Sequence, residues 1–158
     1  MKAFISYSHV DQRFLDRLHV HLAQLQRENL ISTWTDKDIL AGGKLDNAIS
    51  DSLSSSKLFI ALLSPDYINS NYCYEKEFEQ ALTMEERDQL IIIPIVIEDC
   101  DWLNTPFKKF KALPEDGKAI ANWSSPNTAF LNVIQEIRKL LQGDAAINLA
   151  PNKIGVIF

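Results

Sequence analysis

The chain has 158 residues, 46% of them hydrophobic and 23% charged, with a formal net charge of −5. That length suits one domain with its own core, and the acidic balance argues against the basic surface that nonspecific binding to nucleic acid or an anionic membrane needs. Two cysteines, Cys73 and Cys100, are too few for a disulfide framework or a zinc site and fit a reducing compartment.

The N-terminus enters a strand directly and shows no signal peptide. The longest apolar run, Leu90 to Ile97, contains Pro94 and falls well short of the about 20 residues of a membrane span. The protein is therefore read as cytoplasmic, with no nucleic acid bound directly and no membrane partner. Lys108, Lys109 and Lys111 form one small basic cluster, read as a solvated loop.

Lys2 to Tyr7 is rich in strand formers and reads as the first strand. Asp11 is the expected cap of the helix that follows, whose stripe is Phe14, Leu18, Leu22 and Leu25. Leu30 to Thr35 reads as a second strand ending near Trp34, and Asp36 to Lys44 as a loop with a Gly42-Gly43 turn. Leu45, Ile49 and Leu53 mark a short amphipathic helix. Lys57 to Leu63 is apolar almost throughout, as a strand covered on both faces should be. After a polar loop, Ser70 or Asn71 can cap a helix running to about Arg87, and Leu90 to Ile97 is the fourth strand.

Glu98 to Gly117 is long and irregular, with Trp102, Leu103, Phe107, Phe110 and Leu113 expected to dock it on the body. Lys118 to Trp123 reads as a short fifth strand. Ser124-Ser125-Pro126 starts a last helix with the stripe Phe130, Ile134, Ile137 and Leu141. Strands and helices alternate throughout, so the expected fold is α/β: a flavodoxin-like, five-stranded parallel sheet with helices on both faces. Residues 1–142 form the expected domain. Residues 143–158 read as a linker or the start of a following domain, or as a terminal strand packing back, since they end in the apolar Ile154-Gly155-Val156-Ile157-Phe158.

Four segments carry a resemblance. Phe4-Ile5-Ser6-Tyr7-Ser8-His9-Val10-Asp11 resembles the first-strand motif of TIR domains. Trp34-Thr35-Asp36-Lys37-Asp38-Ile39-Leu40-Ala41-Gly42-Gly43 is similar to their BB loop. Ser64-Pro65-Asp66-Tyr67 with Tyr72-Cys73-Tyr74-Glu75-Lys76-Glu77 resembles the exit of strand three and the helix with the catalytic glutamate. Cys100-Asp101-Trp102, Thr105-Pro106-Phe107 and Leu113 to Lys118 look like bacterial members in particular. One departure is visible: many relatives place the glutamate three residues after the cysteine, whereas Cys73 and Glu77 are four apart and Lys76 takes that position.

Three glutamates compete for the central role. At about 100° per residue, a buried stripe of Tyr74, Phe78, Ala81 and Leu82 leaves Glu75 and Glu77 on opposite flanks and Glu79 further out. Periodicity does not choose between the first two. The resemblance implies Glu77 as the catalytic residue. It further implies a ligand-binding set of Phe4, Ser6, Tyr7, Trp34, Asp36, Asp38, Gly42, Cys73 and Tyr74.

The resemblance implies NAD glycohydrolase activity: cleavage of the nicotinamide–ribose bond to give nicotinamide and ADP-ribose or a cyclic isomer. NAD+ is then the substrate and no cofactor is expected. The implied setting is an assembly-activated effector of bacterial antiphage defence, with self-association through TIR–TIR contacts and a C-terminal sensor domain. The alternative is a non-catalytic TIR scaffold, with Ile39 and Leu40 as contact residues.

The chemistry has its own logic. Nicotinamide leaves NAD+ as a neutral molecule and needs no general acid, unlike the leaving group of an ordinary glycoside. One carboxylate can suffice, stabilising the oxocarbenium-like transition state. No metal-ligand cluster or P-loop is present in the sequence. A phosphoacceptor domain lacks support as well, because strand one ends Ser-Tyr-Ser-His rather than in acidic residues.

Overall fold

A computed structural model describes residues 1–143. Its sheet has four parallel strands in the order β2-β1-β3-β4, namely β1 (Lys2–Ser6), β2 (Ser32–Trp34), β3 (Leu58–Leu63) and β4 (Ile91–Val96). The helices are α1 (Gln12–Arg27), α2 (Leu45–Ser54), α3 (Pro65–Asn69), α4 (Glu79–Glu86) and α5 (Pro126–Gln142). Among the described residues, no helix is long and apolar enough to cross a membrane.

Strand alternation divides the core in two. On one face Ala3 and Ile5 of β1 and Leu58, Ile60 and Leu62 of β3 pack with Leu15, Leu18, Leu22 and Leu25 of α1 and Phe130, Val133 and Ile137 of α5. On the other, Phe4, Phe59, Ala61 and Leu63 pack with Leu53, Tyr67, Phe78 and Ala81. Side chains two apart on a strand share a face. Both faces of β3 are thus apolar, as its composition required. The same alternation puts Ser6 on the face of Phe4, beneath α3 and the start of α4.

The expected fifth strand is absent among the described residues. Ile120–Asn122 is a 3-10 turn instead, tied to the sheet where the Ala121 amide donates to the Ile97 carbonyl at 3.0 Å. The place beside β4 is taken by Leu113, whose N–H donates to the Pro94 carbonyl and whose carbonyl accepts from the Val96 N–H, both at 2.8 Å. That pairing is held to one bridge for a clear reason. Pro94 has no N–H to give on that edge, and beyond Leu113 the Glu115 N–H donates to Asn132 Oδ1 instead, so the ladder grows in neither direction.

Three 3-10 turns organise the long segment before it: Trp102–Asn104, Pro106–Lys109 and Glu115–Gly117. Phe107 and Leu113 dock it as expected, Trp102 and Phe110 are partly buried, and Leu103 is exposed. Lys108, Lys109 and Lys111 are exposed. Two further local expectations change. On α1 the inner position is Leu15, with Phe14 only partly buried. Asp11 makes no capping bond; it is buried in a 3-10 turn, His9–Asp11. The expected linker, 143–158, lies from residue 144 onward outside the described residues.

Candidate functional site

The chain between Asn71 and α4 departs from an α-helix. Tyr72–Phe78 forms a π-helical turn, a form that is rare and concentrates at functional sites. A π turn holds more residues than an α turn, which turns Cys73 and Glu77 inward together. Both are buried, while Glu75 and Glu79 are exposed and Tyr74 is half-buried. Cys73 and Glu77, four residues apart, share the inward face.

Glu77 is only 7% exposed. Ser6 donates its hydroxyl proton to Glu77 Oε1 at 2.6 Å. The Ser6 Oγ also lies 2.9 Å from the Tyr67 hydroxyl. A serine has one proton, already committed to Glu77, so Tyr67 donates to Ser6. The result is a directed chain of two buried hydroxyls ending on the carboxylate. Burial pushes the Glu77 carboxyl up to about 7; the Ser6 hydrogen bond opposes this, and the negative charge of Asp36 adds to it.

Supporting bonds fix the loops around this chain. Ser64, at the end of β3, accepts from the Tyr67 amide at 3.0 Å and donates to Asp11 Oδ2. The loops after β1 and β3 are therefore tied together at the carboxyl ends of their strands, where open α/β sheets bind ligands. Burial raises the Asp11 carboxyl above its ordinary range, against the Ser64 bond. Asp11, Asp66 and Glu98 bring carboxylate oxygens within 4.8 Å of one another, a grouping that residues so far apart in sequence did not reveal. Asp11 already accepts from Ser64, and an acidic group of this kind does not by itself make a metal centre.

A cleft of about 310 Å³ opens above Glu77. Its walls include Tyr7, Ser8, His9, Asp36, Ser70, Tyr72 and Cys73. Tyr7 donates its hydroxyl to Asp36 Oδ1 at 3.2 Å, and His9 Nε2 meets Asp36 Oδ2 at 2.5 Å. Burial, then the Asp36 charge, raise the Tyr7 hydroxyl far above its usual range. The Cys73 thiol donates to the Tyr7 carbonyl at 3.3 Å, and burial pushes it up to about 11, so it is no nucleophile near neutrality. Tyr72 donates to Asp46 of α2 at 2.8 Å.

Of the residues singled out from sequence, Tyr7, Asp36, Cys73 and Glu77 line the cleft and Ser6 lies directly beneath, bonded to Glu77. The others sit elsewhere. Phe4 is a core residue, stacked on Trp34 at 5.2 Å and Phe59 at 5.7 Å. Trp34 is partly buried in that packing. Asp38 holds the loop: its carboxylate accepts from the Thr35 amide at 2.9 Å in a reciprocal cap. Gly42 adopts φ 84°, a turn conformation natural to glycine, and a Cβ there would meet nothing within 4 Å. Tyr74 packs edge-on against Phe78 at 5.8 Å.

Tyr67 and Tyr72 were missed as site residues, and the exposed His9 lies at the rim of the cleft. The aromatic positions just before and after the Ser70-Asn71 cap were the available signal. Only the π turn and the fold-back of α3 bring them to the carboxylate.

Comparison with known proteins identifies the family and the fold. A family model described as TIR domain matches residues 3–141. The uncharacterized protein y4lF of Sinorhizobium fredii is 39% identical over 136 residues, covering 86% of this chain and 42% of that protein. NAD(+) hydrolase sarm1 of Drosophila melanogaster is 30% identical over 135 residues, covering 80% of this chain and 9% of that protein. The chain thus spans less than half the length of these curated relatives. The TIR domains of the activated Roq1 resistosome superpose with a TM-score of 0.64 at 20% identity, over 86% of this chain and 98% of that one, a likeness of fold.

Proposed function

The chain belongs to the TIR domain family, and from that premise we propose that it is an NAD+ hydrolase with Glu77 as its catalytic residue. The observation that carries this reading is the buried Glu77 carboxyl at the floor of a cleft, held by Ser6 and pushed up to about 7. A buried carboxylate facing a bound pyridinium ribose stabilises the positive charge that moves onto the ribose as the bond breaks. The C1′–N bond breaks, its electron pair passes to the ring nitrogen, and nicotinamide departs neutral. A water oxygen then bonds to C1′ and loses its proton to solvent, giving ADP-ribose. Attack by an adenine nitrogen in place of water gives the cyclic isomer.

In this reading Tyr7 and Tyr72 flank the nicotinamide, and Asp36 accepts from ribose hydroxyls. Phe4, Trp34, Asp38, Gly42 and Tyr74 support the walls and the loop rather than touch substrate. No cofactor takes part. The similarity to NAD(+) hydrolase sarm1 supports the reaction, and the resistosome likeness supports activation by assembly. The domain is taken as residues 1–142, acting as a cytoplasmic antiphage effector whose sensor lies beyond it. The test is chromatographic: nicotinamide and ADP-ribose or its isomer should accumulate from NAD+, at a rate rising faster than linearly with protein concentration.

A scaffold acting through TIR–TIR contacts is the second reading, favoured by Leu40, which is 83% exposed in the loop after β2. It predicts that replacing Glu77 leaves both self-association and biological function intact.

A further inference from the structure

The cleft is small and acidic. At about 310 Å³ it sits at the lower end of ligand pockets, which run from roughly 300 to 1,000 Å³. That holds a nicotinamide and one ribose between its walls, and the rest of a dinucleotide reaches past the open mouth. Its charged walls are the carboxylates of Asp36 and Glu77, and none of the described residues lining it is Lys or Arg. The one basic ring at its rim, His9, is already paired with Asp36.

A pyrophosphate group needs cations or free amide donors, and carboxylates repel it. A pyridinium riboside without phosphates carries a single positive charge and suits the same walls. An adjoining hollow of about 210 Å³ does contain Lys76, but it also contains Asp46. Tyr72 and Glu77 line both spaces and so form the wall between them, with Tyr72 held in place by its bond to Asp46.

Resting on the proposed hydrolase reading, we propose that the substrate class of this cleft is the N-ribosylpyridinium cation itself, so that nicotinamide riboside is bound and hydrolysed as readily as NAD+. The balance is the same as for NAD+: C1′–N breaks, the pair goes to nitrogen, water supplies the new C1′–O bond, and the products are nicotinamide, ribose and a proton. Phosphates and adenosine extend into solvent and contribute little to binding by the single chain.

The test uses the 158-residue chain at pH 8. Nicotinamide release is measured from NAD+ and from nicotinamide riboside, for wild type and for Lys76→Ala. Binding of each compound is followed separately by NMR shifts of the cleft residues at low and high salt. The expected result is kcat/KM values within about threefold of each other, changed less than about twofold by Lys76→Ala. Riboside binding should weaken with salt, as attraction of a cation to carboxylates does. A preference for NAD+ beyond about tenfold, or a Lys76→Ala loss confined to NAD+, overturns the inference. If neither compound is cleaved but the riboside shifts the cleft residues, the hydrolase reading fails and the ligand class stands. If the riboside binds nowhere in the cleft, the inference fails whatever happens to NAD+.

Discussion

Ser6 on β1 and Glu77 in the π-helical turn, 71 residues apart in sequence, share a 2.6 Å hydrogen bond in which the serine donates. This bond partly offsets the desolvation of the carboxylate. Its removal should therefore be read in the ionisation of Glu77, beside the stability lost when the buried Tyr67 hydroxyl is left without its acceptor. Ser6→Ala is expected to move the acid limb of the NAD+ cleavage profile upward by about one pH unit, costing about fivefold at pH 7 and little at pH 9. Equal losses at both pH values would assign Ser6 a different role.

The wild-type profile follows from the same carboxyl. The ionised form is the one that stabilises positive charge, so kcat/KM should rise with pH and level off above about 7. Below that the rate should fall by about tenfold per unit. A rate that increases as the pH drops below 6 would mean that the neutral acid is the active form.

Stability should run the other way. The Glu77 carboxyl is raised in the folded chain, to about 7 from an ordinary 4.5. The folded state thus holds its proton where the unfolded state has lost it. The stabilisation this brings is complete below about pH 4.5 and disappears as pH climbs through about 7. At pH 8 the buried charge costs up to about 3 kcal/mol. Glu77→Gln keeps an oxygen for Ser6 and removes the charge, so it should raise the denaturant midpoint at pH 8 and leave it nearly unchanged at pH 4. Asp11, whose carboxyl is also raised, persists in both proteins and cancels in the comparison. A variant less stable than wild type at pH 8 would contradict the assignment.

The parts of this fold that could be read from sequence are those where burial dictates composition. β3 and β4 are apolar on both faces, and the stripes of α1 and α5 repeat at helical spacing. Lys118 to Trp123 misled because its short apolar centre, Ala119-Ile120-Ala121, resembles a strand, whereas the place beside β4 is taken by a single bridge at Leu113. Asp11 misled similarly: its position before a helix suited a cap, but a buried partner at Ser64 claims it. At the site, ideal helix periodicity could not separate Glu75 from Glu77, because the segment is not an α-helix. The resemblance pointed to Glu77, which lies buried within the π turn against Ser6. Tyr67 and Tyr72 escaped because their roles depend on contacts across the fold, to Ser6 and Asp46.

The most direct measurement is nicotinamide release from NAD+ at pH 8, with wild type and Glu77→Gln compared at several protein concentrations. The account predicts release by wild type and a loss of about a thousandfold in the variant, with the fold retained. Release undiminished in Glu77→Gln would contradict it. So would a folded wild-type protein that yields no nicotinamide at any concentration while an established NAD+ hydrolase does so under the same conditions.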